Sequence, residues 1–256
     1  MPTLQIQDHR YSNIRALIFD KDGTLAQSHD YLHQMANLRW AALAQALVQV
    51  LGDVATIDLR DRLFQAWGVQ STQVHPAGLM AVGSRRDNEL VTAGYLTPLG
   101  LGWIESWTLV NTVFSQTKLQ DDNKAKLTSP IPNLAAHLDR FKSAGLKLAI
   151  LSADTEDNIQ SFVQTWNLAS YFDAWVGDQP GLGKPDPKLL DLACDRLQVS
   201  PSEVLVIGDS EADIELALRG KAAGAIGFSC GWSVPVTLPQ AHFMITDLQD
   251  LHVHRI

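Results

Sequence analysis

The chain has 256 residues, of which 46% are hydrophobic and 19% are charged, a composition typical of a globular protein with one or two domains. Its formal net charge of -8 argues against a broad basic surface that binds nucleic-acid backbones. A small anionic ligand stays compatible with this charge, because one metal ion and one lysine reverse the local sign.

The cysteines and the N-terminus predict a reducing, cytoplasmic setting. Cys194 and Cys230 lie far apart and form no CxxC motif, so we expect reduced thiols rather than a disulfide or a zinc site. Residues 1–8 lack the basic start and apolar run of a signal peptide, and no apolar run approaches the ~20 residues that span a bilayer. We therefore expect no membrane partner.

The first predicted element is a strand at residues 14–19, a short apolar run that ends at Asp20. The next hundred or so residues show no clear strand pattern. Their helical periodicity predicts helices at residues 32–51, 57–67, 85–95 and 102–119. We therefore predict a helical domain of residues 28–128, inserted into a second domain formed by residues 1–27 and 129–256.

The rest of the chain alternates between strand and helix patterns. Apolar runs predict strands at residues 146–151, 204–207, 223–228 and 242–245. Helical patterns between them predict helices at residues 133–144, 155–166, 186–197 and 210–219. This alternation predicts an α/β fold, with a Rossmann-like parallel sheet covered by helices on both faces.

Small polar residues follow three of the predicted strands: Asp20–Thr24, Ser152–Asp154 and Gly208–Ser210. In open parallel sheets, ligands bind at the carboxyl ends of the strands. We therefore expect these three segments to share one site.

Asp20 and Asp22 are two residues apart, and in an extended segment such residues point the same way, with Lys21 pointing elsewhere. Two close carboxylates repel, so either a cation lies between them or one is protonated. One then serves as nucleophile and metal ligand, and the other as proton donor and acceptor. Gly23 permits a turn with positive φ, which Thr24 closes through its hydroxyl. An ordinary strand-to-loop turn explains the same residues.

Asp209 and Asp213 lie four residues apart, about one helical turn, and with Asp20 they could bind a hard cation such as Mg²⁺ through oxygen ligands. The alternative is that acids simply favour the first turn of a helix. The hydroxyl of Ser152 and the ammonium of Lys184, in a loop rich in glycine and proline, are candidates for binding phosphoryl oxygens. Alone, each could equally be an ordinary loop or surface residue.

In this order, the segments resemble the haloacid dehalogenase-like superfamily. Its motifs match Asp20-Lys21-Asp22-Gly23-Thr24, Ser152, Lys184-Pro185, and Gly208-Asp209 with Asp213. The helical insert resembles the type C1 cap of this superfamily, and the resemblance to its phosphoglycolate-phosphatase-like members covers nearly the whole chain. One departure is Ala153, where many relatives carry Asn directly after the serine.

The resemblance implies a mechanism of phosphoryl transfer. Asp20 attacks phosphorus and forms an aspartyl-phosphate, and Asp22 protonates the leaving oxygen and then deprotonates the hydrolytic water. Thr24, Ser152 and Lys184 are implied to contact the substrate.

The resemblance also implies a Mg²⁺ cofactor. Its implied ligands are Asp20, Asp209 and the backbone carbonyl of Asp22, and Asp213 supports the metal directly or through water. The presence of Asp22 counts against the dehalogenase branch of the superfamily, which needs no acid to protonate a halide.

The implied activity is that of a phosphatase acting on a small phosphorylated metabolite, such as phosphoglycolate or a sugar phosphate. A phosphomutase of the same family and a catalytically silent binding protein are the alternatives. In the predicted cap, the candidates for reading the substrate are His29, His33, Arg39, Arg85 and Arg86, although each could be an ordinary surface residue. The tryptophans of this region, which include Trp67, Trp103 and Trp107, are predicted to pack in its core.

Overall fold

The computed structural model describes residues 2–52, 56–70, 73–117 and 124–254. Its contacts divide the chain into two compact units, one of residues 1–28 and 124–256 and the other of residues 29–123. We call these the core unit and the inserted unit. The domain boundaries at residues 28 and 129 stay a prediction.

The secondary structure in chain order is as follows. The strands are β1 (Thr3–Ile6), β2 (His9–Tyr11), β3 (Ala16–Phe19), β4 (Ala26–Gln27), β5 (Ser129–Pro130), β6 (Lys147–Leu151), β7 (Ala174–Val176), β8 (Val204–Gly208), β9 (Gly224–Phe228), β10 (Phe243–Ile245) and β11 (His252–His254). The helices are α1 (His29–Leu51), α2 (Thr56–Trp67), α3 (Leu79–Val82), α4 (Arg85–Leu96), α5 (Trp103–Gln116), α6 (Lys124–Leu127), α7 (Leu134–Ser143), α8 (Glu156–Thr165), α9 (Lys188–Leu197) and α10 (Glu211–Arg219). Short 3₁₀ turns lie at Thr97–Leu99, Ala169–Tyr171, Pro201–Glu203 and Leu248–Asp250.

The core unit is built on a six-stranded sheet in the order β10-β9-β8-β3-β6-β7, and all of its neighbouring strands are parallel. The predicted α/β fold is confirmed, and all five predicted strands are present in this sheet. The sixth, β7, was missed because three residues are too short to form a recognisable apolar run. A separate antiparallel sheet, β11-β1-β2, was also missed, since its strands are short and partly polar.

Apolar residues cover both faces of the parallel sheet. Along β3, Leu17 and Phe19 belong to one hydrophobic cluster, while Ala16 and Ile18 belong to the other. The first cluster also contains residues of α7 and α8, and the second contains residues of α9 and α10. Helices therefore lie on both faces, which leaves the ends of the central strands as the place where polar side chains gather.

The inserted unit is helical, as the sequence predicted. Trp67 is fully buried, and its indole nitrogen donates to the Thr92 hydroxyl at 3.0 Å. Trp103 differs from the prediction of a core residue, because it is 48% exposed and stacks on Trp107 with ring centroids 6.4 Å apart. The predicted end of the last helix, Leu119, lies outside the described residues.

None of the helices in the described ranges is both long enough and apolar enough to span a bilayer.

Candidate active site

The predicted strand ends lie side by side. Strand β3 is hydrogen-bonded to β6 on one side and to β8 on the other, with Phe19 in register with Ile150 and Ile207. Asp20, Ser152 and Asp209 directly follow these three strands. The sheet topology therefore brings the three predicted polar segments to one edge.

Three carboxylates form a buried acidic cluster at this edge. Asp20, Asp209 and Asp213 each offer an oxygen, and these oxygens lie within 4.8 Å of one another. The three residues are only 9%, 4% and 2% exposed. Lys184 Nζ donates to Asp20 Oδ1 and to Asp213 Oδ1, both at 2.6 Å. The predicted lysine is therefore a direct partner of two predicted metal ligands.

The electrostatics of the acidic cluster favour a bound cation. Burial raises the pKa of Asp20 to about 6, with Lys184 opposing the shift and Asp213 adding to it. Burial, followed by the charges of Asp20 and Asp213, raises the pKa of Asp209 well above its usual range. Burial alone would lower the pKa of Lys184, but its two carboxylate partners outweigh burial and raise it. Three carboxylates that face one ammonium offer hard oxygen ligands, which suit a divalent cation.

The first turn of α10 explains the position of Asp213. Its Oδ2 accepts hydrogen bonds from the backbone nitrogen of Ser210 at 3.1 Å and from the Ser210 hydroxyl at 2.6 Å, which forms a capping box. The other oxygen, Oδ1, is left for Lys184. A side chain at Gly208 would overlap the Asp213 carboxylate, which explains the glycine at that strand end.

The turn after β3 positions Asp209. Gly23 has φ of +88°, and a side chain there would overlap both Asp209 and Trp232. The fully buried Thr24 donates its hydroxyl to Asp209 Oδ1 at 2.7 Å. The indole nitrogen of Trp232 donates to Asp209 Oδ2 at 2.6 Å. Thr24 therefore orients Asp209, while its predicted substrate contact stays a prediction.

Trp232 was not predicted to be part of the site. It lies in an irregular segment after β9, where no periodic pattern marks it as buried, yet it is only 8% exposed. Because its partner Asp209 is 23 residues away in the sequence, nothing local in the sequence indicates the contact.

The Asp22 side chain lies outside the acidic cluster and belongs to a second group of charges. Its Oδ2 accepts from Lys21 Nζ at 2.7 Å and from Lys124 Nζ at 2.8 Å, and its Oδ1 accepts from the Ser28 hydroxyl at 2.6 Å. The expectation that Lys21 points away from Asp22 is wrong. The reason is that a turn begins at Lys21, whose carbonyl accepts from the backbone nitrogens of Leu25 and Ala26, so the alternation of an extended strand does not apply.

This environment keeps Asp22 ionised. Burial opposes its charge, but the ammonium groups of Lys124 and Lys21 outweigh burial and hold the pKa of Asp22 well below its usual range. The predicted contact between a metal and the backbone carbonyl of Asp22 stays a prediction.

Ser152 is buried at the end of β6. Its backbone nitrogen donates to the Val176 carbonyl at 3.0 Å, and its hydroxyl oxygen accepts from the backbone nitrogen of Asp154 at 3.1 Å. Asp154 follows Ala153, the position at which the chain departs from the superfamily pattern. Its Oδ2 lies 2.7 Å from Lys124 Nζ and 3.1 Å from Lys21 Nζ. Asp154, which faces two lysines, therefore lies one residue after Ala153, the position at which many relatives carry asparagine.

Comparison with known proteins decides the family. Residues 14–220 match the sequence model of the haloacid dehalogenase-like hydrolases. The chain belongs to this family. The resemblance inferred from the four motifs is therefore confirmed.

Individual relatives within the family carry different activities. The chain is 36% identical to the phosphoglycolate phosphatase of Aquifex aeolicus (strain VF5) over 104 residues, which are 40% of this chain and 47% of that protein. It is 34% identical to (S)-2-haloacid dehalogenase 1 of Pseudomonas sp. (strain CBS-3) over 102 residues, which are 40% of this chain and 42% of that protein. The matches therefore span less than half the length of these curated relatives.

A solved structure extends the likeness in fold. The crystal structure of a predicted phosphoglycolate phosphatase from Haemophilus somnus 129pt superimposes with a TM-score of 0.62. It is 17% identical in sequence, and the match covers 93% of this chain and 96% of that one. The likeness in fold to this structure thus extends over nearly the whole chain.

The residues predicted to recognise the substrate of this haloacid dehalogenase-like hydrolase lie in the inserted unit. Arg39 packs over the Phe114 ring at 4.4 Å, and burial lowers its pKa to about 10. Arg85 Nε pairs with Glu89 at 2.7 Å, and Arg86 lies 5.9 Å from the centroid of the Trp107 ring. These three arginines therefore have structural partners within the unit. A role in substrate recognition stays a prediction for them, as it does for His29 and His33.

Proposed function

We propose that the chain is a Mg²⁺-dependent phosphatase that hydrolyses a small phosphorylated metabolite through an aspartyl-phosphate on Asp20. The acidic cluster carries this proposal, because it combines three buried carboxylates with one buried lysine directly beside the candidate nucleophile. The similarity to a phosphoglycolate phosphatase supports the same reaction class.

Asp20 is held in place for attack on phosphorus. Its backbone nitrogen donates to the Ile207 carbonyl at 2.9 Å, and its carboxylate is bound by Lys184. Such positioning, together with charge stabilisation, supplies most of the catalysis in phosphoryl transfer. The buried ammonium of Lys184 and the hydroxyl of Ser152 are proposed to bind the phosphoryl oxygens.

The proposed ligands for Mg²⁺ are Asp20, Asp209, Asp213 and the backbone carbonyl of Asp22. When bound, the cation neutralises negative charge on the phosphoryl group and on the surrounding carboxylates. Thr24 and Trp232 hold both oxygens of Asp209 by hydrogen bonds, so the direction of this ligand is fixed by the protein.

Asp22 is the proposed proton carrier. A phosphate dianion that binds nearby adds negative charge and thereby raises the proton affinity of Asp22. Asp22 then takes up a proton from solvent and passes it to the leaving oxygen as the bond to phosphorus breaks and the bond to Asp20 forms. In the second step, the ionised Asp22 takes a proton from water, whose oxygen attacks phosphorus and releases inorganic phosphate and free Asp20.

The dehalogenase relative raises a competing activity, against which Asp22 is the discriminating residue. A halide leaves without protonation, so a dehalogenase has no use for a proton carrier at this position. In this chain Asp22 is present and is held by three side chains. This arrangement favours phosphate esters over carbon–halogen bonds.

A phosphate-release screen tests the proposal. The purified chain is assayed against phosphoglycolate, sugar phosphates and p-nitrophenyl phosphate, with Mg²⁺ and with EDTA. We expect release that depends on Mg²⁺, and we expect Asp20→Asn to lower it by roughly a thousandfold or more. Asp157→Asn, at an exposed position of α8, is the matched control and should retain full activity.

Release of phosphate by Asp20→Asn at the control rate would overturn the proposal. Formation of an isomerised ester without free phosphate would instead identify a phosphomutase. Halide release from a 2-haloacid, with no hydrolysis of any ester, would identify a dehalogenase.

A further inference from the structure

Four charged side chains form a group next to the acidic cluster: Lys21, Asp22, Lys124 and Asp154. We call them the lysine–aspartate network. Only Asp22 has a role in the mechanism proposed above. Lys124 belongs to none of the four motifs, and Asp154 stands next to the position where the motif pattern fails.

The lysine–aspartate network holds Asp22 by both oxygens. Oδ2 accepts from Lys21 and Lys124, and Oδ1 accepts from the Ser28 hydroxyl. A carboxylate with one partner rotates freely about its terminal bond, whereas a carboxylate bound on both oxygens has a single favoured orientation.

Asp154 fixes the two ammonium groups in turn. Its Oδ2 lies 2.7 Å from Lys124 Nζ and 3.1 Å from Lys21 Nζ. Its Oδ1 accepts from Asn158 Nδ2 at 2.6 Å and from the backbone nitrogen of Thr155 at 3.0 Å. The start of α8 therefore anchors Asp154, and through it the two lysines.

Lys21 is the deeply buried member of the network, whereas Asp22 and Lys124 are 23% and 22% exposed. Lys21 is only 1% exposed, so its ammonium has few alternatives to its two carboxylate partners. Two lysines and two aspartates balance in charge, which removes the penalty of an isolated buried ion. Buried ion pairs contribute little net stability compared with apolar packing, and their best-attested use is to specify one conformation.

On the basis of the proposed function, we propose that Lys124 and Asp154 are positioning residues that hold the Asp22 carboxylate in one orientation for proton transfer to the leaving-group oxygen. Neither residue needs to touch the phosphoryl group. The cost of losing this orientation depends on the substrate, because an alkoxide leaving group needs a proton and a p-nitrophenolate does not.

Because Lys124 and Asp154 carry opposite charges, substituting each in turn distinguishes a positioning role from a purely electrostatic effect on Asp22. Lys124→Met removes a positive charge beside Asp22, whereas Asp154→Asn removes a negative charge. A purely electrostatic influence would therefore move activity in opposite directions in the two variants. Loss of position lowers the activity of both.

The experiment compares kcat/KM for an alkyl phosphate ester and for p-nitrophenyl phosphate in the presence of Mg²⁺. Each variant is measured with both substrates, since kcat/KM reports the steps up to departure of the leaving group. In both Lys124→Met and Asp154→Asn, we expect the loss for the alkyl ester to exceed the loss for p-nitrophenyl phosphate by about tenfold or more, within the range of general acid catalysis. Lys124→Arg, which keeps the charge and the donors, should recover part of the loss.

Lys142→Met is the matched control, because Lys142 forms an ion pair with Asp173 at 2.7 Å in the same unit. Its kcat/KM should equal that of the wild type with both substrates.

Equal losses with both substrates, no loss with either, or opposite changes in the two variants would overturn the proposal. If one variant fails to fold, as judged by circular dichroism, the other still gives the ratio between substrates. A wild-type chain that hydrolyses neither ester would contradict the proposed phosphatase function itself. That outcome differs from wild-type hydrolysis with unchanged substrate ratios, which would contradict only the positioning role.

Discussion

Replacing Lys184 with methionine tests the charge balance of the acidic cluster. The Lys184 ammonium is buried and lies 2.6 Å from Asp20 and 2.6 Å from Asp213. Methionine keeps most of the length and the apolar stem but removes the charge. At pH 8 without metal, the three carboxylates of the acidic cluster would then face one another with no cation between them.

The expected loss of stability follows from the burial of Lys184 and its two carboxylate partners. Removing one partner of a buried ion pair costs about 3–5 kcal/mol, because the other charge is left uncompensated. For a chain of this size, about 2–4 °C of melting temperature corresponds to each kcal/mol, so we expect a fall of roughly 10 °C in EDTA at pH 8. Mg²⁺ should restore most of the loss, since the metal replaces the ammonium as the partner of the carboxylates.

The loss of stability in Lys184→Met should also depend on pH. Burial raises the pKa of Asp20 to about 6 even with Lys184 present, and loss of the ammonium raises it further. An acid with a raised pKa in the folded state binds more protons when folded, so its destabilising effect is absent at low pH and develops as pH rises through the folded pKa. The deficit of Lys184→Met should therefore be small at pH 5 and large at pH 8.

Thermal melting followed by circular dichroism, with EDTA and with Mg²⁺, measures these effects. Lys142→Met is the control, because its pair with Asp173 is about one-third exposed and should contribute at most about 1 kcal/mol. If the two variants melted within about 2 °C of each other in EDTA at pH 8, the acidic cluster would not depend on the charge of Lys184 for its stability.

Three further predictions concern the residues around Asp209 and the phosphoryl group. Trp232→Phe removes a hydrogen bond to the buried Asp209 carboxylate and should raise the Mg²⁺ concentration for half-maximal activity by about 10- to 100-fold. The control is Trp166→Phe, which loses an indole hydrogen bond to a backbone carbonyl and should leave this Mg²⁺ concentration unchanged. Gly23→Ala places a side chain at positive φ and against Asp209, so we expect loss of Mg²⁺-dependent activity together with a lower melting temperature; an active variant that melts like the wild type would contradict the tight packing of this turn. Ser152→Ala should lower kcat/KM for phosphate esters by about 10- to 100-fold without lowering the melting temperature, and unchanged kinetics would argue against phosphoryl binding by its hydroxyl.

The central strands and the strand-end motifs were predictable because both signals are local. Strands such as β3 and β8 are fully buried, so each reads as an apolar run, and the polar residue that ends the run marks the edge of the sheet. The topology of a parallel sheet then implies that Asp20, Ser152 and Asp209 meet. Asp213 followed from the spacing of one helical turn.

The contacts that refine the site were not predictable, because they join distant segments through side chains. Trp232 reaches Asp209 from a loop without periodicity, and Lys124 reaches Asp22 across 102 residues of sequence. The side-chain direction of Lys21 was predicted wrongly because a turn replaces the strand at that residue. Local patterns therefore predicted the strand-end residues of the candidate site, while the distant side chains that contact them required the folded structure.

The central claim is that Asp20 becomes phosphorylated, and a rapid-quench experiment tests it most directly. The best ester from the phosphate-release screen, carrying a radiolabelled phosphoryl group, is mixed with excess protein and Mg²⁺ and quenched in acid within a single turnover. We predict that the label appears on the peptide that contains Asp20, decays as free phosphate is released, and is absent in Asp20→Asn. Complete hydrolysis with no label on the wild-type protein at any time, or label retained by Asp20→Asn, would contradict the account.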